Sequence, residues 1–265
     1  MNGASLFRGL VVALGLAAGS LAAHAQDFSN AAPAWPPAGA AVLLERGLPA
    51  TLGAITLDLG GTRWFGLPEL TTRSLALGAG WRSLRAACGL SETGDAEVGW
   101  TSLAAAAGVV DRSGGAALRG VIRRETEAFP RRDGYEVGFG AWMEAAEALE
   151  VWASAPQVWT RDPSPPLGRG LELGLGIGAE DLRAWVTRTA VVGLPHGGRG
   201  EHAAGLSIDA GPLALWLAAR DHPLRGGLGV RARAKATWVA AEVEGHPVLG
   251  ETVRLFFGAR LGGAP

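Results

Sequence analysis

The chain is predicted to be all-β: an up-and-down antiparallel transmembrane β-barrel of about 12–14 short strands. Three features predict it. Between Glu201 and Leu261 the residues alternate in twos, as in Leu213, Leu215 and Leu217 against Ala214, Trp216 and Ala218. Such a period sends alternate side chains to opposite faces of a sheet. Short turns and longer polar loops then take turns along the chain, which is the connection pattern of outer-membrane barrels. Finally, the face opposite the apolar one is mostly Gly and Ala with scattered Arg, Glu and Trp. A sheet face open to water is usually polar, so this composition suits a confined lumen better.

Residues 1–25 read as a secretory signal peptide. Arg8 is the charge that precedes an apolar run from Leu10 to Ala23, and Ala23-His24-Ala25 has the small-residue form of a cleavage site. Residues 26–50 are Ala/Pro-rich, with Ala34-Trp35-Pro36-Pro37. Proline is excluded from the interiors of sheets and helices alike, so this segment reads as a linker whose end, Ala40 to Leu48, becomes a lumen plug. Residues 51–262 are the barrel. Leu52 to Leu59 alternates weakly and is broken at Gly60-Gly61; as a strand it gives about 14 strands, and as part of the plug about 12, an even number either way.

Hairpins follow about Arg82-Ser83, Asp111 to Gly115, Ala145 to Glu147, Glu180-Asp181, Ala210-Gly211 and Ala234-Lys235. The first sets Leu77 opposite Cys88, Ala79 opposite Ala86 and Trp81 opposite Leu84, all on the apolar face. Loops lie at Gly66 to Thr72, Ser91 to Ala96, Ala128 to Gly134, Pro156 to Arg169, Gly193 to Glu201, Asp221 to Arg225 and Gly245 to Gly250. Glu97 to Arg124 is the least regular part, because Leu103 and Val121 disturb the phase.

The candidate lumen residues are Trp152, Trp185, Trp216, Trp238, Arg183, Arg231, Arg233, Glu172 and Asp209. Pairing about the hairpins sets Trp152 opposite Gly140, Trp185 opposite Gly176 and Trp216 opposite Gly205, so that each ring lies over bare backbone. It sets Trp238 opposite Arg231 as a cation–π pair. Acids and bases are balanced on this face, which favours a paired lumen over a charged passage.

The 24 Lys and Arg against 25 Asp and Glu leave no basic footprint for nucleic acid. One cysteine, Cys88, excludes an internal disulfide. His196, His202, His222 and His246 all fall in or beside longer loops near one mouth, without the spacing of a metal site. No G-x-S-x-G, H-E-x-x-H or phosphate-loop motif occurs, and Gly170, Gly174, Gly176 and Gly178 alternate within one strand rather than opening a helix. A nucleophile such as Ser91 beside a loop histidine is the one route to an enzyme.

An exported chain with a plug-like N-terminal segment, about 14 strands and a last strand near its end resembles the FadL-type fatty-acid transporters and the PorV-type barrels of type IX secretion. Leu59-Gly60-Gly61-Thr62-Arg63-Trp64-Phe65-Gly66-Leu67-Pro68 is similar to the small-residue segment that opens the PorV-like barrel. The chain departs from both families in being short and in ending on Gly258 to Pro265 after Phe257. The resemblance implies a fold, a membrane, and either passage of a hydrophobic solute or a scaffolding role.

The reading is therefore a barrel in the bacterial outer membrane, with membrane lipid and a small hydrophobic or amphipathic solute as partners and no cofactor or catalytic site. The alternatives are an exported all-β binding module and an envelope lipid-modifying enzyme. The apolar face separates barrel from sandwich: it is outermost in the first and buried between sheets in the second.

Overall fold

A computed structural model of the chain describes residues 39–48, 55–94, 99–125, 133–161, 169–178, 181–192, 200–221 and 224–261. The signal peptide, the Ala/Pro linker before residue 39, His196 and His222 lie outside them. The described residues hold one helix, α1 (Ala40–Arg46), and fourteen strands. The strands are β1 (Ile55–Arg63), β2 (Thr71–Trp81), β3 (Leu84–Gly94), β4 (Gly99–Val110), β5 (Gly114–Glu125), β6 (Asp133–Ala146), β7 (Leu149–Arg161), β8 (Arg169–Gly178), β9 (Leu182–Val192), β10 (Glu201–Ala210), β11 (Leu213–Asp221), β12 (Leu224–Ala234), β13 (Thr237–His246) and β14 (Gly250–Leu261). Two 3-10 turns, Trp64–Gly66 and Pro68–Leu70, join β1 to β2.

Each strand pairs antiparallel with its neighbours in sequence, and β1 closes on β14 from Ile55↔Leu261 to Arg63↔Val253. Closure leaves no sheet edge. The alternation resolves as a barrel requires. Every strand places exposed large apolar side chains on its outer face, from Ile55 and Leu59 on β1 through Leu215 and Leu217 on β11 to Leu255 and Phe257 on β14. An apolar surface continuous around the whole ring has no place in water, where contiguous patches are normally limited to a few hundred Å². It fits a bilayer, and the sandwich alternative fails on it.

Strand assignment differs from expectation in particulars. Gly60 and Gly61 do not break β1 but lie inside it, paired with both neighbours. Leu103 is in phase with the outer face, at 55% exposed, while Val121 is an inner residue of β5. Strands run further into several loops than alternation suggested, with β3 reaching Gly94 and β7 reaching Arg161. The pairs about Arg82-Ser83 stand as expected. The turns after β10 and β12 are one residue later, at Gly211-Pro212 and Lys235-Ala236, pairing Ala210 with Leu213 and Ala234 with Thr237. Gly211 (φ 68°) and Lys235 (φ 54°) take the left-handed conformation that two-residue hairpin turns demand. Between β6 and β7 a bulge at Glu144/Ala146 makes the connection Glu147-Ala148.

Leu217 lies midway along β11 on the outer face. Leu217→Arg should therefore lower unfolding free energy in lipid vesicles by about 2–4 kcal/mol, the cost of a basic residue at the bilayer midplane. Denaturant titration followed by tryptophan fluorescence checks it.

Candidate functional site: a lumen occupied by an interior helix

A ring of fourteen strands spaced about 4.8 Å and tilted about 40° is roughly 28 Å across between backbones. A helix with its side chains is about 10–12 Å thick, so it occupies part of such a lumen and the wall must supply the rest. Both parts are present. Ala40, Leu43, Leu44 and Leu48 are almost completely buried inside the barrel. On one side α1 packs against Ala76, Ala87, Ala104, Ala106, Ala117 and Val121 of β2–β5. These inner positions are small because a helix lies on them, which is why both faces of β4 and β5 look apolar in the sequence. On the other side Leu48, with Val42 alongside, meets Trp152, Trp185 and Ala203.

The helix is fixed at both ends. Gly39 precedes it and offers no side-chain cap. Instead the Asp58 carboxylate on β1 accepts the Ala41 N–H at 3.1 Å, taking the place of a capping side chain and putting a negative charge at the positive end of the helix. At the C-terminus Arg46 donates to Glu172 on β8 at 3.1 Å, and Ser154 on β7 donates to the Arg46 carbonyl at 2.5 Å. Gly47 (φ 60°) ends the helix in the left-handed conformation, its N–H returning to the Leu43 carbonyl at 3.1 Å. This end rests on bare backbone: a Cβ on Gly140 of β6 would stand 2.6 Å from the Arg46 carbonyl oxygen. Since β1 and β8 are seven strands apart in either direction round the ring, the two clamps hold opposite walls.

The tryptophans fill the wall beyond the helix. Trp152 on β7 lies over Gly174 on β8, Trp185 on β9 over Gly205 on β10, Trp216 on β11 over Gly229 on β12, and Trp238 on β13 over Gly258 on β14. A Cβ at any of these glycines would overlap the indole. The glycines are therefore not those the hairpin pairing named. Trp185 does stand opposite Gly176, but Trp152 pairs with Trp142, Trp216 with Ser207 and Trp238 with Arg233 across their hairpins. The cation–π pair of Trp238 with Arg231 is replaced by Trp238 over Gly258. Each ring leans onto the strand that follows it in the chain, a choice that one hairpin read alone does not reveal. Two indole N–H groups are tied down, Trp152 to Glu172 and Trp216 to Glu242, both at 3.0 Å.

Charge fills the remaining space, in two groups. Towards the longer loops, Arg220 donates to Glu201 at 2.8 Å and Arg225 bridges Glu201 and Glu244, the latter at 3.0 Å. Arg254 donates to Glu242 at 2.5 Å and to Glu244 at 3.0 Å, with its guanidinium over the Trp64 ring. Towards the short turns, Asp209 pairs with Arg231 and Arg233, and Arg183 lies 3.8 Å from Glu150. Arg119 and Arg123 flank Glu136 on β6. Sequence reasoning named Arg183, Arg231, Arg233, Glu172 and Asp209 as lumen candidates but not Glu201, Arg220, Arg225 and Glu244, which fell at loop edges. Their even and odd places in β10–β13 were the available signal.

The histidines do not gather. The His202 ring and Asp221 are 2.8 Å apart on the outer face, whereas His246 Nδ1 accepts the Val248 and Leu249 N–H groups and its ring meets Phe65 edge-on. Among the described residues no group of three metal-ligating side chains forms. Ser91 is buried on the lumen side of β3 and His202 faces outward, so those two do not meet.

No protein-family model matches the chain, and no curated protein matches it either. Solved structures do resemble it. The Ralstonia pickettii toluene transporter TbuX superposes with a TM-score of 0.58 at 10% identity, over 84% of this chain and 94% of that one. The CymD monoaromatic hydrocarbon channel gives 0.56 at 8% identity, over 80% and 90%. The Acinetobacter baumannii outer membrane protein Omp33 gives 0.51 at 7% identity, over 80% and 99%. The fold is that of a bacterial outer-membrane β-barrel. With its unbroken apolar belt, the outer membrane is where this chain resides.

Filling a glycine beneath an indole should cost more than filling an open one. Gly229→Ala is expected to destabilise the folded barrel by about 1–3 kcal/mol through overpacking, whereas Gly226→Ala, whose added Cβ meets nothing within 4 Å, should leave stability unchanged or raise it by up to about 1 kcal/mol. Paired denaturant titrations in the same lipid check the difference.

Proposed function

We propose that this barrel is a gated passage for a small hydrophobic or amphipathic solute, with α1 as the resident plug. Residues 1–25 export the chain, 26–50 form the linker and plug, and 51–262 form the barrel. The observation that carries the reading is the seating of α1: it is held by Asp58 at one wall and by Glu172 and Ser154 at the other. The strands are paired with one another all round the ring independently of α1, so the helix can leave without dismantling the sheet. Where it leaves, an apolar wall of Ala76, Ala87, Ala104, Ala106, Ala117 and Val121 is uncovered, which suits a solute with little polarity. The likeness to a toluene transporter and a monoaromatic hydrocarbon channel supports the same class, as does the layout shared with FadL-type transporters. No catalytic role is assigned; Ser91 and His202 lie on opposite faces of the wall.

The extent of that pairing favours a second reading, in which the barrel is an envelope scaffold and its lumen stays shut. Conductance in planar bilayers separates the two. Wild type is expected to show small, infrequent openings. Deletion of residues 39–48, or the double change Arg46→Ala with Glu172→Gln, is expected to raise mean conductance several-fold and to speed entry of a small aromatic solute into vesicles. A deletion variant that still runs as a heat-modifiable folded band, yet conducts no more than wild type, would leave the scaffold reading standing.

A further inference from the structure

We infer that the outer face of β1 and β2, at the longer-loop end, carries a binding site for the phosphate of an outer-leaflet glycolipid, formed by Arg63 and Arg73 around the bare backbone of Gly61. The inference uses only the lipid-facing surface and is independent of what the lumen does.

Four observations place the site. Arg63 and Arg73 lie on the outer face and are exposed. Register sets Gly61 opposite Arg73 and Arg63 opposite Thr71, so the two arginines are diagonal neighbours across the strand pair. Their Cα atoms are about 7–8 Å apart, within reach of long side chains. Between them Gly61 presents no side chain, and a Cβ built there meets nothing within 4 Å. Its neighbour on the other side is Leu255 of β14. The result is open space above Gly61, a notch flanked on the outer face by the strand positions of Arg73, Arg63 and Leu255. Neither arginine forms an ion pair among the described residues. Glu92 of β3 stands directly across from Arg73 on the same outer face, on the side of β2 opposite Gly61.

The height of the notch selects the ligand. Arg73 precedes the exposed Leu75 by two positions on the same face, about 7 Å nearer the longer loops at about 3.4 Å per residue. Gly61 stands equally far beyond Leu59, and Arg63 one further step towards the long loops. The site therefore sits just past the apolar belt, where lipid headgroups lie, while acyl chains run down over Leu59, Leu75 and Leu255. At such a boundary an isolated arginine extends its guanidinium to the interface. Two arginines at diagonal positions there are within reach of one phosphate and supply the planar donor forks that match its oxygens. The longer loops mark the extracellular side, so the headgroup available is a phosphorylated glycolipid of the outer leaflet.

The test is thermal stability of the folded barrel in detergent, read as the temperature at which the unboiled gel band is lost. Bisphosphorylated lipid A is compared with a dephosphorylated preparation. Wild type is expected to gain roughly 5 °C with the phosphorylated lipid at saturation and less than half of that with the other. Arg63→Gln with Arg73→Gln should match wild type without lipid and lose the gain. Gly61→Leu, which keeps both arginines and fills the notch, should lose it too, and Arg188→Gln, on the same rim at β9, should keep it. An equal gain in the double glutamine and Gly61→Leu variants overturns the site. So does loss of the gain in Arg188→Gln, which would mean a diffuse basic rim rather than a notch.

Discussion

Everything in this structure depends on one requirement: inside a bilayer the backbone has no water to bond, so the sheet must satisfy its own N–H and C=O groups without an edge. The seam between β1 and β14, nine residue pairs from Ile55↔Leu261 to Arg63↔Val253, meets it. That seam explains why Gly60 and Gly61 stay in β1 despite their weak strand propensity. Each is held by a neighbour on both sides, and tertiary pairing overrides local preference. Closure also divides the molecule into two solvents. The outer face is apolar to match lipid. The inner face is left to solve a packing problem, since a lumen this wide is not filled by wall side chains of ordinary size.

The inner solution is unequal around the ring. Where α1 lies, on β2–β5, the wall is alanine and valine, and burial of Leu43 and Leu44 does the filling. On β7–β14 the helix touches the wall at Trp152, Trp185, Ser154 and Glu172, and four indoles over four glycines take up the rest of the space, with Arg–Glu pairs beyond them. The direction of lean repeats from β7 to β13. Each tryptophan sits on an odd-numbered strand from β7 to β13, and its glycine on the next strand in the chain. A large ring and an absent side chain on adjacent strands are one packing unit, so neither is free to change alone.

This arrangement sets what the sequence could reveal. Alternation identifies faces, and a register error of two residues leaves faces untouched. Hence the outer belt and the lumen side of Trp216 and Trp238 were legible, while their partners were not. The turns at Gly211-Pro212 and Lys235-Ala236 sit one residue later than the alternation implied, and that moved Trp216 from Gly205 to Ser207 and Trp238 from Arg231 to Arg233. Lys235 in a left-handed turn has no strong signature, unlike Gly211. Val121 misled for a different reason. Its inner position is apolar because a segment some seventy residues earlier in the chain covers it, and periodicity within one strand carries no record of a distant helix. The clamp residues Asp58, Ser154 and Arg46 were illegible for the same reason, being ordinary residues until the barrel brings β1, β7 and β8 around the helix.

The same inequality bears on how the lumen changes state. The hydrogen bonds and ion pairs of Arg220, Arg225, Arg254, Glu201, Glu242 and Glu244 run between strands, and none reaches α1. Trp216 and Trp238 pack with Ala240 and Phe256, again without the helix. Removing α1 would therefore cost its own clamps and the contacts of its apolar face, while the wall from β10 to β14 kept its structure. Breaking the Arg254 site instead would leave Glu242 with the Trp216 N–H as its remaining hydrogen bond and Glu244 with Arg225, removing the cation that joins two buried carboxylates. Of the two fillings of the lumen, the wall network is bound into the sheet and the helix is only docked on it. The space that α1 occupies therefore lies against the β2–β5 side, along the alanine wall.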